Sequence, residues 1–181
     1  MVPSLVLAFS NDPAVRWLFP DPHQYLAYFP EFVAAFAGNA FERGTAYVSG
    51  DYAGAALWFS PGIEADSEAV DELLQGCLSE ADQPDAFTVF DQMVHYHPHY
   101  PHWYLPLLGV DPRHHGQGHG SALLRSVLGR CDRDRLPAYL ESSNPQTVPF
   151  YQHHGFEVLG TIQVGKSPQI FTMLRQPVTS G

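Results

Sequence analysis

Two stretches of the chain carry residue types that can do chemistry together. The first is Val110–Leu124, VDPRHHGQGHGSALL, in which Gly116, Gly118 and Gly120 fall within five residues. An apolar run (Leu105, Leu107, Leu108, Val110) leads into it, and an amphipathic helix follows. A strand, a glycine-rich turn and a helix N-terminus bring free backbone N–H groups and the positive end of a helix dipole to one place, which makes a cradle for phosphate. The second stretch runs from Leu140 to Phe156. It carries a carboxylate, Glu141, an amide, Asn144, and a phenol, Tyr151. A carboxylate at the end of a strand can accept a proton, and a phenol on the next helix can supply one. The glycine run alone also fits a tight strand-to-helix turn. Its spacing differs from the dinucleotide fingerprint, and it lacks the Lys-Ser/Thr of a nucleotide-triphosphate loop.

These residues need a scaffold, and the hydrophobic periodicity outlines one. The first 40 residues read as helices broken by prolines, with Tyr25, Tyr28, Phe29, Phe32, Val33 and Phe36 at helical spacing and Pro30 as a kink or restart. Thr45–Ser49 and Ala53–Ser60 read as a hairpin around Gly50-Asp51. Ser67–Leu78 and Asp82–Tyr96 read as helices, Trp103–Val110 as a strand and Ser121–Cys131 as a helix. Ala138–Glu141 is a short buried strand, and Thr147–His153 is a helix capped by Gly155. Phe156–Val164 and Gln169–Leu174 close the sheet as an antiparallel pair. The order β-β-α-α-β-α-β-α-β-β predicts an α/β or α+β sheet with a parallel centre, in one domain over 1–181.

Composition excludes several classes. Hydrophobic residues at 45% indicate a globular chain rather than a disordered one. A formal net charge of −10 argues against nucleic acid and anionic membranes as partners. No uninterrupted apolar stretch is long enough for a membrane span, and no signal peptide is evident. Cys77 and Cys131 read as buried thiols in a reducing cytoplasm. The tract HYHPHYPH, with His95, His97, His99 and His102, has the density of a metal site, but two prolines interrupt it and no Cys or nearby carboxylate completes it. It reads as a surface or substrate-rim loop, and no metal is expected.

Taken together, the two stretches resemble the GNAT (Gcn5-related) N-acetyltransferase superfamily. The Arg/Gln-x-x-Gly-x-Gly pattern falls on His115–Gly120, and the Asn…Phe-Tyr…Gly-Phe pattern falls on Asn144, Phe150, Tyr151, Gly155 and Phe156. Within the superfamily the pattern is most similar to puromycin N-acetyltransferase-like bacterial enzymes, through HWYLPLLGVDPRHHGQGHGSALL, LPAYLESSNPQTVPFYQHHGF, IFTMLRQP and AALWFSP. The resemblance is firm over about 101–175, the acetyl-CoA half, and loose over about 1–100, the substrate half. It implies a mixed, mostly antiparallel sheet with a parallel central strand pair flanked by helices. The family's opening strand is expected to be missing from this sequence, which begins almost inside the first helix; either the start is assigned too late or the sheet tolerates the loss with an exposed edge.

The resemblance also implies roles. Acetyl-coenzyme A is the acyl donor, held by His115, Gly116, Gln117, Gly118, His119, Gly120 and Ser121. Backbone N–H groups around Leu108, Gly109 and Val110 supply the oxyanion donor. Asn144 binds the pantetheine arm or orders its loop, and Phe150 is core or cofactor contact. Glu141 is the candidate proton acceptor and Tyr151 the candidate acid. His115 and His119 depart from the pattern, which has Arg or Gln and an aliphatic residue there. The expected activity is direct transfer, in a ternary complex, to the primary amine of a small molecule, with a homodimer left open. Ser142 and Ser143 lack the partners of a nucleophile. The alternatives are a non-catalytic acyl-coenzyme A sensor and acetylation of a peptide N-terminus or lysine.

Overall fold

Two aspartates start the second and third helices. In a computed structural model that describes residues 1–178, Asp12 caps α2 (Pro13–Leu18) and Asp21 caps α3 (Pro22–Ala37), each accepting two backbone N–H groups, with a proline at each first turn. These follow α1 (Val2–Ala8), which opens the chain. Helix α3 runs through Pro30 rather than restarting there. Its apolar side chains Tyr25, Phe29, Phe32, Val33 and Phe36 are buried, so packing outweighs the hydrogen bond that proline removes. A short α4 (Asn39–Glu42) leads to the hairpin of β1 (Ala46–Ser49) and β2 (Gly54–Phe59).

Helices α5 (Ser67–Cys77) and α6 (Gln83–Tyr96) precede the long central strand β3 (Trp103–Val110). After it come α7 (His119–Asp134), β4 (Ala138–Ser142), α8 (Val148–His153), β5 (Glu157–Ile162) and β6 (Ile170–Arg175). The sheet order is β1-β2-β3-β4-β6-β5, and only the β3–β4 pair is parallel. That is the expected mixed α/β sheet with a parallel centre. The parallel pair needs a crossover, and α7 provides it.

Side chains alternate across the sheet and divide the core in two. Ala55, Leu57, Phe59, Tyr104, Leu107 and Tyr139 pack with helices from the first hundred residues. Ala56, Trp58, Trp103, Leu105, Ala138, Leu140 and Met173 pack with α7 and Tyr151 of α8. Glycine at 109 lets α1 lie close on β3, because a Cβ there would stand 2.6 Å from the Ala8 Cβ. Cys131 is buried, as expected, whereas Cys77 is only half-buried; both thiols are free. Among the described residues, no helix is long and apolar enough to cross a membrane.

The sheet opens where it matters. Strands β3 and β4 pair only through Trp103↔Ala138, Tyr104↔Tyr139 and Leu105↔Leu140. The next residue of β3 is Pro106, which has no N–H to donate. Beyond it, β3 stays paired with β2 up to Gly54↔Val110, while β4 ends at Ser142 against β6. The two central strands therefore part after Leu105 and Leu140.

Candidate active site

The gap left by the parting strands is the floor of a cleft of about 1000 Å³. Its walls come from both faces of the sheet, and they include the glycine run, the end of β4, α8 and the aromatic helices α2, α3 and α6.

At one end lies the glycine run. Gly116 (φ +75°) and Gly118 (φ +83°) adopt left-handed backbone, with open space where a Cβ would stand. Glycine is needed at both for conformation and not for packing. Helix α7 begins at His119, two residues earlier than the periodicity indicates, so Gly120 belongs to its first turn. There the missing side chain serves packing, since a Cβ would stand 3.1 Å from the Phe150 ring. Ala122 is the first residue to bond back into the helix, to the Gly118 carbonyl. The N–H groups of His119, Gly120 and Ser121 thus have no intrahelical acceptor, at the positive end of a 16-residue helix. Among the described residues lining the cleft, none is Lys or Arg. An anion here is held by backbone and dipole.

The histidine side chains beside this turn are engaged elsewhere. His115 Nε2 lies 2.9 Å from the Val110 carbonyl, and His119 Nδ1 lies 2.9 Å from Ser49 Oγ on β1. Gln117 is exposed and reaches the Arg113 carbonyl at 3.5 Å. What His119 offers the cleft is mainly its N–H. Asp111 caps the short turn before the run and binds Arg113 through both carboxylate oxygens, which holds its carboxyl down at about 2. Leu108, Gly109 and Val110 line the middle of the cleft on the parted stretch of β3. Asn144 caps the turn before α8 with its own side chain, accepting from Gln146 N–H.

Glu141 and Tyr151 border the same cleft from opposite sides of the sheet. Glu141 follows Tyr139 and Leu140 in alternation, so it faces the α6 side; its side chain is 4% exposed. Tyr151 is 8% exposed and packs on the α7 side against Phe150 and Phe156. Burial, and the negative charge of Asp12 nearby, push the Tyr151 phenol well above its ordinary value. A phenol so shifted keeps its proton at neutral pH.

Two features lay outside what the residue pattern indicated. His97 Nε2 lies 3.3 Å from Glu141 Oε1, a buried oxygen that accepts no hydrogen bond, and the Tyr104 and Tyr139 phenols stand close to the same carboxylate. The His97 ring packs against Tyr104 and Tyr139, 4.5 Å from each centroid, and its side chain is 28% exposed. The tract reads as a rim loop in the sequence, yet His97 reaches inward, with the His102 ring 5.5 Å from its own. The signal was faint, because only the end of α6 and the start of β3 bring it there. Among the described residues, no three His, Cys, Asp or Glu side chains are gathered as a metal would need. Second, Asp12, buried at the start of α2, accepts the Ser143 hydroxyl at 2.6 Å and so ties the first helices to the end of β4. Burial raises its carboxyl above the usual range. Helices α2, α3 and α6 give the cleft an aromatic wall, in line with the aromatic spacing of the first helices.

Comparison with known proteins agrees with this geometry. A model of the acetyltransferase (GNAT) family matches residues 10–156. An uncharacterized N-acetyltransferase of Schizosaccharomyces pombe is 26% identical, over 97% of this chain and 78% of its own length. Among solved structures, a histone acetyltransferase HPA2-related acetyltransferase from Corynebacterium glutamicum superimposes with a TM-score of 0.66 at 24% identity, covering 99% of this chain and 90% of the other. An arylalkylamine N-acetyltransferase 2 from Aedes aegypti gives 0.62 at 13% identity, over 96% and 91%. At these identities the two structures speak for the fold alone.

Proposed function

The chain belongs to the acetyltransferase (GNAT) family, and on that premise we propose that its cleft transfers an acetyl group from acetyl-coenzyme A to the primary amine of a small molecule. The observation that carries the reading is the parting of β3 and β4, with a backbone anion cradle at one end and Glu141 and Tyr151 on its two sides.

The cradle fits a pyrophosphate: it has left-handed glycines, unpaired N–H groups and a helix dipole, with no bulky side chain in the way. Gly116, Gly118, Gly120 and Ser121 would hold it, with the parted stretch of β3 beside the pantetheine arm. When bound, the coenzyme supplies an acetyl group activated as a thioester.

The protons balance as follows. An alkyl ammonium has a pKa near 10.4, so on the order of one molecule in a thousand is neutral at pH 7. The ammonium must lose two protons on becoming an amide. One ends on the departing sulfur by way of Tyr151, which is held protonated, gives its own proton to the thiolate and takes the amine's proton in return. The other leaves for solvent. Glu141 accepts it, and His97, at 3.3 Å and partly exposed, passes it outward. The alternation of the β2–β3 ladder turns the Leu108 and Val110 N–H groups away from β2, toward the gap where charge would develop on the acetyl oxygen.

A peptide substrate is disfavoured by the walls. Its backbone would need hydrogen-bond partners, and the substrate end of the cleft is largely aromatic. The sensor reading is disfavoured because both proton-handling residues are present.

Glu141→Gln tests the assignment. The variant is expected to bind coenzyme A as the parent does while amine-dependent thiol release falls about 100-fold or more. Unchanged turnover would remove Glu141 from the mechanism.

A further inference from the structure

The substrate end of the cleft has a chemistry of its own. Phe32 and Phe36 of α3 and Phe90 of α6 form a cluster with ring centroids 5.1, 6.2 and 6.0 Å apart. Trp17, Met93 and Ile170 extend it. Among these six side chains the only polar atom is the Trp17 indole N–H. Phe90, Met93 and Trp17 are only partly buried, so their surfaces face the cleft rather than the interior. The charged side chains along the cleft are Asp12 and Glu141, both acidic. Among the described residues, no Lys or Arg lines it to offset them.

We infer that this compartment selects a monoamine with an aromatic or branched apolar body and no carboxylate of its own. The inference rests on the reading of the cleft as an amine acetyltransferase site and specifies its acceptor. Apolar walls reward burial of an apolar body at about 25 cal/mol per Å². They also strip water from any further polar group without replacing it. Two acidic side chains attract an ammonium and repel a carboxylate. A free amino acid brings an unpaired carboxylate into an acidic cleft. A polyamine brings extra ammonium groups against rings that cannot hydrogen-bond them. An apolar monoamine has neither defect: its cation meets Glu141 and its body meets the phenylalanines.

The test pairs turnover with binding. Thiol release from acetyl-coenzyme A is measured with 2-phenylethylamine, isoamylamine, phenylalanine, spermidine and a tetrapeptide. Binding of 2-phenylethylamine and of phenylalanine is measured separately by calorimetry on the full chain without coenzyme. We expect 2-phenylethylamine to exceed phenylalanine by about 100-fold or more in kcat/KM, and to bind measurably where phenylalanine does not. Phe90→Ala should raise the KM for 2-phenylethylamine about 10-fold and leave that for acetyl-coenzyme A unchanged. Met93→Ala, at a half-buried position, should shift it the same way if Phe90→Ala fails to fold. Preferred turnover of phenylalanine, spermidine or the tetrapeptide would overturn this inference and leave the acetyltransferase reading standing. Binding of 2-phenylethylamine with no turnover of any amine would overturn the acetyltransferase reading instead.

Discussion

Glu141 has few partners, and that gives His97 leverage over it. The carboxylate is buried, its Oε1 accepts no hydrogen bond, and His97 is the partly exposed group beside it. The Tyr104 and Tyr139 rings both pack against the imidazole ring. Replacing His97 should therefore slow proton exit more than it weakens amine binding. His97→Gln is expected to lower kcat about 10- to 100-fold with the amine KM within a factor of about two. Added imidazole buffer should restore part of the rate, by carrying the proton that the side chain no longer carries. A loss of rate that imidazole leaves untouched would assign His97 a structural role only. The pair was half legible in the chain: Glu141 stood out at the end of an apolar strand, whereas His97 was one of four histidines in a loop. Sequence spacing holds no record of which of them the turn between α6 and β3 points inward.

The elements that build the cradle were legible because their causes are local. Gly116 and Gly118 mark left-handed backbone, and the Leu123, Leu124, Val127, Leu128 and Cys131 stripe marks the buried face of α7. The aromatic spacing of α3 was equally clear, yet its continuity through Pro30 depends on packing against α1, α5 and α6. The parting of β3 from β4 was not legible, because it depends on which strands pair and where the register stops. Gly118→Ala tests what the cradle's conformation contributes. An alanine held at φ +83° costs about 1–2 kcal/mol. The same strain arises in Gly62→Ala, at φ +82° and outside the cleft, which serves as the control. Both variants should lose similar stability in urea titrations. Only Gly118→Ala should weaken coenzyme A binding, by about 10-fold in calorimetry, as the turn relaxes to a conformation alanine accepts. Equal coenzyme A affinity in the two variants would argue against this turn as the phosphate cradle.

Across the whole molecule, a partly buried ion pair ties helix α7 to the sheet and gives the fold a pH dependence. Arg175 of β6 donates two hydrogen bonds to Asp132 of α7, at 2.7 and 2.9 Å, and Asp132 also accepts the Val178 N–H. The guanidinium holds the Asp132 carboxyl below its ordinary value. A depressed carboxyl stabilises the fold above its unfolded pKa, near 3.9, and that contribution is lost as pH falls through the native value. Asp132→Asn should therefore cost about 2 kcal/mol in urea unfolding at pH 7, with the gap from the parent shrinking toward pH 3. A gap independent of pH would mean that the hydrogen bonds matter and the charge does not. On the proposed reading an acyl donor lies in the gap between β3 and β4, with Glu141 as base on one face and Tyr151 as acid on the other. A crystal structure with coenzyme A bound tests that placement most directly. The pyrophosphate is expected within hydrogen-bond distance of the Gly116–Ser121 N–H groups, with the thiol in the gap between Glu141 and Tyr151. Coenzyme A bound with its thiol outside that gap would contradict it.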